Sequence, residues 1–438
     1  MDRIGKRTIR RTGERNDHID VAPAPARLGR GGRRRARHHR TAVARRRGPA
    51  GAARRCGRRA RLEPGAAGHR AHRRPPARDR APDPSFALLH AAIHDAVVAT
   101  TGTGRPYLFT VDVPGAADPE AAAAQAAHDV LAALYPTRAG EFAALLAGQL
   151  AQVRPAGRAA GVRAGGLVAR LLLGLRANDG SAAVPPAIPP GTAPGQYRPT
   201  PPAFAPAAFT HWAAVTPFVL DRADRFRPGA YPALTGARYA KALNEVAAAG
   251  RDTSTTRTAD QTVQARFWAA PIWNYWNEIA QSVVGGSHAG LVVAARVFAR
   301  LNLAFADAVI AFYEAKYHYR IWRPITAVRL AGDDGNPATD AVPDWSSLAT
   351  TPADPAYPGA HSVISQAGSL VLRQEFGPRW PLAVTSEALP GVVRRFATFQ
   401  DAADEAGLSR IVAGVHTRLD HEAGRQLGLD VAAFVLRS

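Results

Sequence analysis

The chain has 438 residues, 46% apolar and 21% charged, enough to bury the core of one large or two ordinary domains; a mini-protein and a wholly disordered chain are excluded. Its formal charge of +21 is unevenly placed, since residues 1–84 hold 26 Lys+Arg against 7 Asp+Glu and the remainder holds 30 against 28. Polyanion binding is therefore a property to seek in the tail and not in the near-neutral body. Cys56 and Met1 both lie in that tail, so the body excludes disulfides, thiolate zinc sites, iron–sulfur clusters and a cysteine nucleophile.

Residues 1–84 are dominated by Arg, Ala, Gly and Pro, without apolar periodicity, and are expected to be a disordered Arg-rich tail. Arg10–Arg11 is not followed by the apolar stretch of a signal segment, so no export signal is legible. Amphipathic order begins abruptly near Ser85, which points to a start site or reading frame assigned wrongly upstream. The stripe Leu88, Leu89, Ala92, Ile93 and Ala96 predicts a first helix. Further helices are predicted over 120–134, near 159–176, 235–249 and 259–268, and over 291–319. Residues 183–206 carry nine prolines and read as an extended connector. The long 291–319 segment is interrupted by Arg296, Arg300 and Asp307, which marks a buried bundle helix and not a membrane span. Strand signals are weak throughout.

Chemistry concentrates in three stretches. Lys316 and Arg323 are seven residues apart, nearly two helical turns, which predicts one shared face, and Pro324 places Arg323 at a helix C-terminus facing a loop. Tyr357-Pro358-Gly359-Ala360-His361-Ser362 then opens a helical stripe; such a small-residue turn aims backbone N–H groups outward as an anion cradle. Finally, in Ser409-Arg410 with His416 and Asp420, the last two stand at i, i+4, where a carboxylate orients an imidazole. Three permanent cations, a cradle and two histidines are what a tetrahedral oxyanion requires.

This ordered triple resembles the superfamily of type-2 phosphatidic acid phosphatases and vanadium-dependent haloperoxidases, whose signature is Lys-x6-Arg-Pro, Pro-Ser-Gly-His and Ser-Arg-x5-His-x3-Asp. The match is closer to the soluble bacterial haloperoxidase-like branch and covers about residues 85–438, expected to be one catalytic domain. It implies an all-α fold of two four-helix-type bundles. It also implies that Lys316, Arg323, Arg410 and the backbone at Gly359 and Ala360 bind the equatorial oxygens of vanadate, or of phosphate in the same site. His416 would ligate vanadium, His361 would act as acid/base, and Asp420 would assist. The implied reaction is halide oxidation by hydrogen peroxide. The alternative is a soluble acid phosphatase acting on phosphate esters through a phosphohistidine. A second copy of the chain is a further expected partner; specific nucleic acid and a membrane span are not. Related proteins are extracytoplasmic.

Two departures stand out. Gly359 replaces the signature serine, removing a hydroxyl donor worth about 1 kcal/mol. Asp354, seven residues before His361, stands where the family places Phe or His near the halide, and is expected to repel halide beside the apical oxygen. Outside the triple, His90, His94 and Asp95 imitate a zinc pair but lack a third ligand, and are expected to be buried or capping groups. Asp333-Asp334-Gly335-Asn336 reads as a turn more than a calcium loop. Trp268, Trp273, Trp276 and Trp322 are expected in the core before a substrate channel.

Overall fold

The computed structural model describes residues 85–113 and 115–438; the tail expected over 1–84 lies outside the described residues. Alanine-rich stretches dictate the first half. α1 (Ser85–Thr101) and α2 (Pro119–Leu134) bury alanine stripes, and α3 (Ala139–Gln152) is followed by α4 (Pro155–Arg176). α2 packs closely on α4, because a Cβ at Gly161 or Gly165 would come within 2.3 or 2.2 Å of the carbonyls of Asp118 and Ala122. The proline-rich connector then leads to α5 (Ala237–Ala249), α6 (Ala259–Phe267) and α7 (Ile272–Gly286).

The central element is α8 (Leu291–Tyr319), whose bounds are those the apolar pattern predicts. It packs on α1 on one side, and on α10 (Ala360–Phe376) and α12 (Arg418–Arg437) on the other, so it belongs to both helical layers. Its three charged interruptions are each answered. Arg296 and Arg300 pair with Glu375 of α10 at 2.9 and 2.6 Å, and Asp307 accepts the N–H groups of Phe218, Val219 and Leu220 at 2.6–2.8 Å. Between α8 and α10 lies the short α9 (Pro324–Arg329), and α11 (Phe399–Val412) precedes α12. The strands found among the described residues are an antiparallel pair, β1 (Leu382–Thr385) and β2 (Val393–Phe396).

The features set aside by sequence have structural partners. His90 stacks on Phe298 at 5.1 Å, His94 Nε2 faces the carbonyl of Arg105, and Asp95 accepts three N–H groups from residues 107–109. Asp334 closes its turn through the N–H of Asn336 and the hydroxyl of Thr339. Trp268, Trp276 and Trp322 are fully buried, and Trp273 is half-buried against the core.

Candidate functional site

Lys316 is one turn from the end of α8, which stops where Arg320 takes a left-handed conformation (φ 49°). The helix thus ends before Arg323, and the expected shared helical face does not exist. Arg323 instead caps the start of α9 in an extended conformation (φ −83°, ψ 154°), as its place before Pro324 requires. The proline-rich connector secures this junction: Tyr197 N–H donates to the Arg320 carbonyl at 2.7 Å and Trp322 N–H to that of Gly195 at 2.9 Å. From the other side, Ala356 N–H donates to Ile321 at 3.0 Å.

The two cations meet on Asp354. Arg323 Nη2 donates to its Oδ1, Arg323 Nε to its carbonyl at 2.7 Å, and Lys316 Nζ stands 3.4 Å from Oδ2. Lys316 also donates to the carbonyl of Pro355. All three residues are buried. Burial pulls the Asp354 carboxyl upward in pKa, but Lys316 and Arg323 together hold it below the ordinary value. Burial lowers Lys316 to about 8, with Asp354 opposing, so the amine remains cationic at neutral pH. Asp354 is therefore not the lone, halide-repelling anion expected from its offset; it is the internal counter-ion of two cations.

The third stretch brings Arg410 and His416 to the same place. α11 ends in a wrap at Gly414 (φ +80°), where a Cβ would lie 2.3 Å from the carbonyl of Gly250. The wrap lets the N–H groups of Val415 and His416 return to the Arg410 carbonyl at 3.1 and 3.2 Å. Arg410 is buried in the last turn of α11. His416 precedes α12 instead of sharing a helix with Asp420, because Thr417 and Asp420 form the capping box that starts α12. The two still approach, with His416 Nδ1 at 3.4 Å from Asp420 Oδ2.

On its other edge, His416 Nε2 lies 3.2 Å from Arg323 Nη1, which also donates to the carbonyl of Val415 at 2.8 Å. A guanidinium can only donate, and Nδ1 faces a carboxylate, so the arrangement assigns the proton to Nδ1 and the lone pair to Nε2. Burial, then Arg323, Lys316 and Arg410, hold His416 well below its ordinary pKa. Burial raises Asp420 to about 6.

His361 lies in the first turn of α10, with Nε2 2.9 Å from the carbonyl of Trp268. That acceptor assigns the proton to Nε2 and leaves Nδ1 as a base. Burial and then Arg410 lower its pKa well below the ordinary value. The cradle differs from expectation at one donor: Gly359 N–H is used by the Asp420 carbonyl at 2.8 Å. Gly359 thus ties α10 to α12, and Ala360, the first helical residue, keeps the N–H that has no intrahelical acceptor. The same junction excludes side chains on α12, where a Cβ at Gly424 would lie 2.5 Å from the Gly359 carbonyl and one at Gly428 2.1 Å from that of Val363. The Trp268 and Val415 carbonyls that orient the site have no sequence signal, since every residue carries a carbonyl.

Comparison with known proteins bears on the fold and on the stretch that carries these residues. Residues 296–438, which contain Lys316, Arg323, His361, Arg410, His416 and Asp420, match a family described as the VCPO second helical-bundle domain. A vanadium chloroperoxidase of Curvularia inaequalis is 27% identical over 237 residues, covering 40% of this chain and 38% of that protein's length. A bacterial vanadium-dependent iodoperoxidase structure superposes with TM-score 0.70 at 27% identity, over 81% of this chain and 90% of that one. A bacterial vanadium-dependent chloroperoxidase structure, at 18% identity, shares the fold with TM-score 0.63 over 81% of this chain and 91% of that one. No described helix is long and apolar enough to cross a membrane. The mostly helical fold, the matched second bundle and these relatives together support placing the chain with the vanadium-dependent haloperoxidases.

Proposed function

We propose that the chain is a vanadate-dependent peroxidase that oxidises halide with hydrogen peroxide at a tetrahedral-oxyanion site. The observation that carries this reading is His416 Nε2 lying 3.2 Å from Arg323 Nη1, a donor that leaves Nε2 as the acceptor, among buried Arg323 and Lys316 with Arg410 on the adjoining turn. A lone-pair nitrogen beside buried cations fits vanadate, which needs one ligating nitrogen and neutralisation of its oxygens. Lys316, Arg323, Arg410 and the Ala360 N–H would hold those oxygens, and His416 would be the ligand. When bound, vanadate supplies the Lewis acid that activates peroxide towards halide.

The protein's part is positioning and proton management. Asp420 sets a carboxylate 3.4 Å from His416 Nδ1, which favours the proton on that nitrogen, and the Trp268 carbonyl keeps the His361 Nδ1 lone pair available as a proton acceptor. Burial first, and then the surrounding cations, lower both histidine pKa values; an arriving anion offsets the cationic part, so binding raises that of His361, whose Nδ1 can then take up a proton. His361 thereby becomes able to return the proton as an acid.

A soluble phosphatase is the second reading. The same Nε2 would act as the nucleophile towards phosphorus, with His361 protonating the leaving oxygen. The buried cations and histidine that would hold vanadate would hold a phosphate ester equally. Bromination of a phenolic dye with peroxide and orthovanadate, measured beside aryl-phosphate hydrolysis without vanadate, separates the two. Bromination is the expected result; hydrolysis alone would replace the first reading by the second. His416→Ala should lose vanadate retention, and His361→Ala should retain vanadate but lose turnover; reversed phenotypes would exchange the roles.

A further inference from the structure

We infer that Asp354 sets the charge of the ligand this site accepts, so that the pocket selects singly charged tetrahedral oxyanions over doubly charged ones. The inference rests on the oxyanion-site reading above and goes beyond it in naming the ligand's charge and the residue that sets it. Lys316, Arg323 and Arg410 are all buried, and so are Asp354 and Asp420. Three cations against two carboxylates leave one net positive charge around two neutral histidines. A monoanion completes that balance, whereas a dianion leaves an uncompensated negative charge in a desolvated pocket, which is costly.

Asp354 is the residue able to impose this choice, because its carboxylate occupies the same two cations that the ligand would use. Arg323 is the physical link: its Nη2 engages Asp354 while its Nη1 lies 3.2 Å from His416 Nε2. One planar guanidinium therefore spans the internal anion and the ligating nitrogen, and a bound oxygen near His416 shares that group with Asp354. The charged and titratable groups facing Asp354 are Lys316 from α8 and Arg323 from the start of α9, with Tyr197 of the connector and Tyr317 of α8 within electrostatic reach. Among these, only Lys316 and Arg323 carry charge at neutral pH. Asp420 is fixed separately by the N–H of Thr417 at 2.6 Å, so it is a constant background in the comparison.

The test uses ions whose charge does not change near neutrality, so that no titration of the ligand enters. Perrhenate serves as the tetrahedral monoanion and sulfate as the dianion, with binding of both to the full chain measured by calorimetry at the same pH of about 7, below the value of about 8 for Lys316. The parent should prefer perrhenate, and Asp354→Asn should shift the perrhenate-to-sulfate affinity ratio towards sulfate by about tenfold or more, as expected for removing one unit charge a few ångströms away in a poorly screened site. Asp354→Ser is a second route to the same shift should the asparagine variant fail to fold. Equal or sulfate-favouring binding by the parent overturns the inference without any variant. An unchanged ratio in the variants also overturns it, while loss of both ions in Arg410→Ala would show that the oxyanion site itself stands. If the parent binds neither ion, nor phosphate nor vanadate, the oxyanion-site reading falls, and the inference with it.

Discussion

Buried carboxylates do two different kinds of work in the two halves of this molecule. In the half built on α1 and the middle of α8, Asp95 and Asp307 each accept three backbone N–H groups and fix a loop. Near the end of α8, Asp354 is answered by two side-chain cations instead. The consequences for protonation are opposite. Burial outweighs the backbone donors and raises Asp95, and raises Asp307 to about 6, while Lys316 and Arg323 outweigh burial and lower Asp354. Partial charges on amides soften desolvation; two formal charges reverse it. Backbone donors also have nowhere else to go, whereas a lysine and an arginine can share themselves with a visiting anion. The first arrangement makes a joint and the second makes a site.

The largest effect should come from the joint. Asp307→Ala strands three amide donors of residues 218–220, and each buried donor left unsatisfied costs about 1–3 kcal/mol, so the melting temperature should fall by about 5 °C or more. Added sulfate or phosphate should not restore it. Asp354→Ala should also lower the melting temperature, but oxyanions should restore it, because they can replace the missing counter-ion. Two variants with equal loss and equal indifference to oxyanions would erase the distinction between joint and site.

Next comes Arg410→Ala, which removes a cation from the site and leaves the joints intact. Losing one charge-assisted contact, worth about 1.5–3 kcal/mol, should weaken vanadate binding about 10- to 100-fold in calorimetry with little change in the melting temperature of the ligand-free protein. Unaltered vanadate affinity would remove Arg410 from the pocket.

The smallest effect is a difference of sign. A carboxyl raised from 3.8 to about 6 contributes stability that is complete below 3.8 and is lost as pH rises through 6, which describes Asp307. A lowered carboxyl contributes stability that is present above 3.8 and is lost as pH falls through its folded value, which describes Asp354. Between pH 4 and 6, the melting-temperature gap between parent and Asp307→Asn should therefore shrink as pH rises. The gap for Asp354→Asn should stay flat. Parallel pH profiles for the two variants would break the comparison at its electrostatic root.

Much of this was written in residue types and spacing. Lys316, Arg323, His361, Arg410 and His416 stand out because cations and imidazoles are the side chains that neutralise and ligate an oxyanion, and the bounds of α8 follow from its long apolar stretch despite three charged interruptions. What was not legible depends on direction or on backbone. An offset from His361 cannot say which way the Asp354 carboxylate turns, and the reading of Lys316 and Arg323 as one face fails at a single left-handed residue, Arg320. α3 lies outside the predicted helices although Phe142, Leu146 and Leu150 recur at helical spacing; that face is only half-buried and the helix buries no residue. α7 does carry a regular stripe, Ile272, Tyr275, Trp276, Ile279 and Val283, hidden among aromatics weighed as channel lining. The hairpin of β1 and β2 has four-residue strands, too short for alternation to register.

The placement of Asp354 along the chain also has a meaning in time. A ribosome delivers Lys316 and Arg323 first, Asp354 next, and Arg410 and His416 only with α11 and the turn before α12. Until that turn exists, the pocket has no complete shell, yet two cations are already committed to an apolar helix end and its neighbouring turn. Asp354 emerges while α8 and α9 are the site elements already made, and its contacts with both cations need nothing downstream of α10. The residue inferred to set the ligand's charge is thus also one that can compensate these cations before their ligand or their histidine is present.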